Sequence, residues 1–331
     1  MNRRGQIIAW VVGILLGVVL PCPAPLIFTP GEGWRYEKAG GGGSWTRGRA
    51  KDQLEVAQTA FAEKDYGTTI KAAQRTVRAW PFSDYAPTAQ YLLGRAHEAK
   101  GDEQKAFQEY QRLLEQYPKG PQYDEVILRQ MAIANRFLAG QWFRFLGLVP
   151  AYRSMDKTIE MYEKILKSGP FSEVAPQAQI NIGLANERRV FPDYPEAARA
   201  YERAADKYAD RREGTDALYR LGQTYYRQAG TAEYDQSVAG QAIASFTDFI
   251  TLYPEDARVR EARGRIAELK TEQARGNLEI ARYYEKRRRW KAARIYYNSV
   301  NQVLVDTPDA PYAVEARQRL EALDKAHPDI R

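Results

Sequence analysis

The 331-residue chain has one cysteine, Cys22, and two histidines, His97 and His327. One cysteine excludes a disulfide framework and a cysteine-built zinc site. Two histidines leave almost no material for a His-ligated metal or a His-dependent triad. A Gly-rich phosphate loop, a G-x-S-x-G elbow and an H-E-x-x-H helix are all missing. No alternating apolar pattern points to a sheet. The apolar run Ile7 to Leu20 has 14 residues, short of the about 20 that span a bilayer. The carboxylates stand at helix-surface spacing, as in Glu98 with Asp102 or Glu160 with Glu163, which suits a solvated face. No catalytic residue, metal or cofactor is therefore expected, and the chain reads as something other than an enzyme. An envelope enzyme is the remote alternative.

What the sequence does hold is a large apolar fraction. Hydrophobic residues make up 44% and charged residues 27%, with 49 basic against 42 acidic side chains and a net charge of +7. A sizeable core is possible and wholesale disorder is excluded. The mild excess of positive charge favours acidic surfaces or anionic lipid without demanding nucleic acid.

The start carries Arg3 and Arg4, then the short apolar run, then Pro21. A charged start, a short apolar middle and a break describe a secretory signal; an uncleaved signal anchor and a buried core helix are the alternatives. Cys22, directly after the run, is a candidate lipid attachment point, although Pro21 replaces the small residue that processing prefers. An unmodified thiol is the alternative. We expect residues 1–22 to be the signal or anchor, 23–48 a Pro/Gly-rich flexible tether, 49–325 a repeat array and 326–331 a tail. Trp34, Tyr36 and Trp45 are unusual for an inert tether and suit docking on the fold or a membrane interface.

From Arg49 onward, small and aromatic residues recur in the tetratricopeptide pattern, whose regular period is about 34 residues. The cleanest unit has Leu93-Gly94, Ala106, Tyr110, Leu113 and Pro118. A glycine and an alanine let two helices approach, Tyr110 fills the space between them, and a proline follows the second helix. Related sets are Ala57, Phe61, Tyr66, Ala73, Val77 and Pro81; Ala134, Thr158, Tyr162, Ile165 and Pro170; Ile182-Gly183, Ala197, Tyr201 and Ala204; Leu221-Gly222, Tyr225, Ala242, Phe246, Phe249 and Pro254; and Ala281, Tyr284, Ala293, Tyr297 and Val300. The expected fold is all-α, a right-handed superhelical solenoid of about five to six helix pairs. Insertions interrupt it at 138–154, where Trp142, Phe143 and Phe145 crowd an apolar loop, and at 228–239. Asp65, Asp102 and Asp193 stand where they can cap helices. His97 takes a position that usually holds a packed aromatic, so it reads as packed rather than as a proton shuttle. Arg282, Lys286, Arg287, Arg288, Arg289, Lys291 and Arg294, interleaved with Tyr283, Tyr284 and Trp290, form one basic cluster. It suits acidic protein loops or anionic headgroups, with a solvated turn as the plain alternative.

The segment Glu279-Ile280-Ala281-Arg282-Tyr283-Tyr284-Glu285-Lys286-Arg287, followed by Trp290-Lys291-Ala292-Ala293, resembles the outer-membrane assembly lipoprotein family BamD, also called ComL or YfiO. Gln58 to Tyr66 and Pro311 to Ala316 are similar to it too, and the resemblance runs from about Asp52 to Lys325. It implies a tetratricopeptide scaffold on the periplasmic face of the outer membrane, membrane-associated through its N-terminus. Its implied partners are a Bam-type β-barrel insertase and unfolded outer-membrane proteins, with neither nucleic acid nor a small-molecule substrate. By position, Tyr66, Trp80, Tyr85, Tyr91 and Arg95 become the candidate substrate-peptide groove. Arg282, Tyr283, Lys286, Arg287, Arg288 and Arg289 become the candidate partner surface. A signal-anchored, inner-membrane-held periplasmic scaffold for cell-wall or division complexes is the rival reading.

Overall fold

The computed structural model describes residues 26–29, 31, 33–36, 45–145, 149–231 and 236–328; the signal segment and Cys22 lie outside them. Among the described residues there are thirteen helices and two short hairpins. The chain divides into two compact units, residues 1–126 and 127–331.

The first unit opens with β1 (Leu26–Thr29) and β2 (Gly33–Tyr36), paired antiparallel with Leu26 opposite Tyr36. The stretch expected to be a flexible tether thus contains a hairpin. Gly31 and Gly33 take positive φ values of 82° and 77°, which a tight turn needs and other residues resist. The Gly31 carbonyl accepts the Asp84 N–H at 2.9 Å, docking the hairpin on the folded body. The buried Gln53 side chain donates to the Trp45 carbonyl and accepts from the Arg47 N–H, which fixes the chain ahead of the first helix.

Four helices follow: α1 (Ala50–Ala62), α2 (Tyr66–Ala79), α3 (Ala86–Ala99) and α4 (Glu103–Gln116), then the start of α5 (Tyr123–Leu138). Pro81 and Pro118 each stand two residues beyond a helix end. Pro cannot continue the hydrogen-bond ladder and pushes its predecessor out of helical geometry. Asp65 caps α2 through the Thr68 N–H. Asp102 makes no such cap and lies instead 3.8 Å from the Nδ1 of His97. Gly94 and Tyr110 lock α3 to α4. A Cβ on Gly94 would sit 2.3 Å from the Tyr110 ring, which is fully buried with its hydroxyl donating to Glu98.

His97 is buried, as expected. Burial lowers its pKa below 6.5, outweighing the opposing pull of Glu109 and Asp102. As pH falls below 6.5 the unfolded chain takes up this proton before the folded one, so stability is full above that value and declines below it. His97→Gln is expected to flatten the fall in melting temperature between about pH 7 and pH 5, measured by circular dichroism.

The second unit continues α5 through β3 (Phe143–Phe145), β4 (Val149–Tyr152), α6 (Met155–Ser168), α7 (Ala175–Glu187), α8 (Tyr194–Lys207), α9 (Arg212–Thr231), α10 (Gln236–Leu252), α11 (Val259–Lys286), α12 (Trp290–Val303) and α13 (Pro311–Ala326). The aromatic insertion is an antiparallel hairpin with a register shift between Phe143 and Arg144. Buried Phe143 stacks on Phe137 at 4.1 Å and on Tyr152 at 5.8 Å, so it packs on its own repeat. Trp142 stays half-exposed under Arg153. The insertion at 228–239 is taken up largely by helix, since α9 runs to Thr231 and α10 starts at Gln236.

The glycine–aromatic lock recurs here as Gly183 with Tyr201 and Gly222 with Phe246, where an added Cβ would meet the ring at 2.6 and 2.7 Å. Tyr162 and Tyr297 occupy the same buried position and donate to Asn135 and Glu285. Arg258 staples the fifth pair to the sixth. It donates to Asp216 on α9 and Asp256 ahead of α11, and lies over the Tyr219 and Phe249 rings. That guanidinium holds the Asp256 carboxyl down to about 2. The 28-residue α11 is about 42 Å long. Its first turns pack with Phe246 and Phe249, its middle with Ala239 and Ala242, and its end with Tyr297 and Val300. The last helix closes this end through Arg282 with Glu315 and Arg294 with Asp324. Among the described residues the fold is an all-α tetratricopeptide array of six helix pairs and one closing helix.

Candidate protein-binding surfaces

In the first unit, side chains from the first helix of successive pairs meet. The Arg95 guanidinium on α3 lies 5.6 Å from both the Phe61 ring on α1 and the Tyr91 ring. It donates to the Tyr91 hydroxyl at 2.8 Å, and that hydroxyl donates to Glu125 on α5 at 2.6 Å. Phe61 contacts Tyr66 at 5.7 Å between ring centres, and Tyr91 contacts Tyr110 at 6.4 Å. The array is half-buried, aromatic along its length and terminated by an Arg–Glu pair. A cation over an aromatic face and a charge-assisted hydroxyl hold these groups in place. Such a surface offers stacking to aromatic side chains and hydrogen bonds to an extended backbone.

Of the candidate groove residues, the structure joins Tyr66, Tyr91 and Arg95. Trp80 turns inward and is only 7% exposed, so it packs beneath Arg75 rather than facing a ligand. Tyr85 precedes α3 and packs against the core of the first pair. Phe61 and Glu125 complete the array and were not among the expected residues. Glu125 stands one repeat period, 34 residues, beyond Tyr91, and that spacing was the available signal.

In the second unit, the basic cluster falls on the turn from α11 to α12. The helix ends at Lys286, so Arg282 and Lys286 stand on α11 while Arg289 lies beyond it, immediately before α12. Arg288 adopts φ 58°, a left-handed conformation that costs a side-chain-bearing residue. Arg282, itself exposed, is already paired within the chain by three hydrogen bonds to Glu315. Lys286, Arg287, Arg288, Arg289 and Lys291 are all exposed, and none pairs with a carboxylate among the described residues. Arg287 stacks over the half-exposed Tyr283 at 4.7 Å. Trp290 stacks on His327 at 4.3 Å and anchors the turn.

Among the described residues no side-chain cluster is suited to hold a metal ion, and no helix is long and apolar enough to cross a membrane. Cys22 falls outside the described residues.

Helix pairs locked by small residues, with aromatic and charged surfaces, define a tetratricopeptide protein that works by binding other proteins. A tetratricopeptide-repeat profile matches residues 54–121, and the profile of the outer membrane lipoprotein family YfiO matches residues 151–329, more than half of the chain. The chain belongs to the YfiO family of outer membrane lipoproteins, the BamD-like tetratricopeptide proteins of outer-membrane assembly. No curated protein matches it. Similar solved structures include a tetratricopeptide-repeat protein from Bacteroides fragilis at 12% identity and a TM-score of 0.45, covering 67% of this chain and 98% of that one. Others are a tetratricopeptide repeat protein from Parabacteroides merdae (12%, TM-score 0.32, 83% and 98%) and the C-terminal part of a repeat protein from Cytophaga hutchinsonii (14%, TM-score 0.36, 81% and 87%). These likenesses concern the repeat fold alone.

Proposed function

We propose that the protein is a periplasmic scaffold of the outer-membrane β-barrel assembly machinery, held at the membrane through lipidated Cys22. It makes and breaks no covalent bonds. The array of Tyr66, Phe61, Tyr91 and Arg95 grips extended, aromatic-rich segments of unfolded outer-membrane proteins. The turn between α11 and α12 docks an acidic surface of the insertase. The observation that carries this reading is the turn itself: five exposed cations within six residues, none neutralised by a carboxylate among the described residues, whereas the flanking Arg282 and Arg294 are paired. Unpaired like charges repel one another, and an acidic partner relieves that repulsion while setting orientation and on-rate.

The test is charge reversal at two exposed residues, whose one ring contact is that of Arg287 with the half-exposed Tyr283. Arg287→Glu with Arg288→Glu is expected to cut co-purification of the insertase from envelopes while helical content and melting temperature stay at wild-type values. Undiminished co-purification would remove the turn from the partner surface.

A further inference from the structure

A second unpaired basic surface lies at the other end of the chain. Lys71, Arg75 and Arg78 stand on α2 at i, i+4 and i+7, a spacing that aligns them on one face. All three are exposed, and none pairs with a carboxylate among the described residues. Asp65, six residues before Lys71, caps the helix through the Thr68 N–H and feels the Lys71 charge without forming an ion pair with it. With Trp45, Gln74 and Ala79 the three cations line an open cavity of about 390 Å³ that has no acidic wall among the described residues. Just past the end of α2, Phe82 is 98% exposed.

The chain's own course says what this face meets. The β1–β2 hairpin is fastened by Gly31 to Asp84, two residues from Phe82. Leu26, the first hairpin residue, follows Cys22 by four positions, a reach of at most about 14 Å. With Cys22 lipidated as proposed above, on which this inference rests, the docked Gly31 is nine residues from the anchor, a reach of at most about 32 Å, which keeps the cations and Phe82 within reach of the membrane surface.

The sequence also supplies a built-in comparison. Pro81-Phe82-Ser83-Asp84-Tyr85-Ala86-Pro87 recurs as Pro170-Phe171-Ser172-Glu173-Val174-Ala175-Pro176, with Phe171 93% exposed. The helix before it has Lys164 and Lys167 at the places of Arg75 and Arg78, but Glu160 and Glu163 at those of Lys71 and Gln74. The apolar tip is repeated; the excess of positive charge is not.

We propose that the Lys71–Arg75–Arg78 face of α2, with Trp45 and Phe82, is a docking site for the phosphate headgroups of anionic membrane lipid. The cations take the phosphates, and Phe82 enters the boundary between headgroups and acyl chains. Aromatic insertion and each nearby cation add to the attraction of such a surface.

The full chain, reconstituted in phosphatidylcholine vesicles containing a photoactivatable phosphatidylglycerol, is irradiated, and lipid adducts are mapped by mass spectrometry. Adducts are expected on the 71–82 segment and not on 160–171. Lys71→Glu/Arg75→Glu/Arg78→Glu should lower them about tenfold or more, while Lys164→Glu/Lys167→Glu leaves them unchanged. Should the triple reversal unfold the array, the glutamine versions remove the charge with less disturbance and carry the same expectation. Adducts spread equally over both segments, or undiminished in both triple variants, overturn the site. Competition by inorganic phosphate, against chloride at equal ionic strength, would reassign it to free phosphate and also overturn the lipid assignment. So would cross-linking of this face to a protein rather than to phospholipid in isolated envelopes. None of these readouts depends on the insertase, so this site and the α11–α12 turn can fail separately.

Discussion

Gly94→Ala is expected to destabilise the first unit by roughly 1–3 kcal/mol, although alanine is the better helix former by about 1 kcal/mol. The new methyl would lie 2.3 and 2.5 Å from two ring carbons of Tyr110. That ring has nowhere to go: it is fully buried, packed on Tyr91 and tethered through its hydroxyl to Glu98. Either α3 and α4 move apart or the ring leaves its rotamer. A double-mutant cycle isolates the cause. With Tyr110→Leu in place the ring is absent, and Gly94→Ala should cost little or become stabilising. Denaturant unfolding followed by circular dichroism reads all four proteins. An equal cost of Gly94→Ala in both backgrounds would show that the ring is not what the glycine accommodates.

Phe246→Ala attacks the same kind of lock from the opposite side, by emptying it. Phe246 is fully buried between Gly222, whose absent side chain makes its room, and the Tyr219 ring at 5.9 Å. Truncation leaves a void that the helices cannot close, because Arg258 pins α9 to the start of α11. The expected loss is about 3–5 kcal/mol, the range for buried Phe→Ala. Gly222→Ala, destructive alone, should recover part of that loss in the Phe246→Ala protein. No loss in the single variant would mean that the fifth pair is held by something other than this ring.

The repeat fold was legible because its packing rule is local. Leu93-Gly94 followed by Ala106 and Tyr110 places a hole and a filler on two adjacent helices, and the same rule found Gly183 with Tyr201 and Gly222 with Phe246. Proline two residues past a helix end marked the stops. The hairpins were not legible, because each strand has only three or four residues, too few for alternation to stand out. Phe143-Arg144-Phe145 looked like loop, and Leu26 to Tyr36 was outweighed by the Pro and Gly around it. The sequence drew the eye to aromatic residues but not to their direction. Tyr91 and Trp80 are equally conspicuous in the chain, yet one joins a surface array and the other lies beneath Arg75. The Tyr91–Glu125 contact needed only the repeat period to be foreseen. The α2 cations were in plain view at helical spacing, but their significance comes from the carboxylates that do not answer them, and only a fold reveals that.

The length of α11 bears on how the molecule comes apart. Stacked repeats ordinarily melt as a chain of weakly linked modules, each stabilised by its nearest neighbours. Here one unbroken rod is shared by three consecutive clusters of the second unit, and no loop between them offers a place to open. The fifth and sixth pairs therefore lose their structure together, as a single cooperative block, and a load applied at the α11–α12 turn is transmitted along the helix backbone to Arg258 rather than absorbed by a joint.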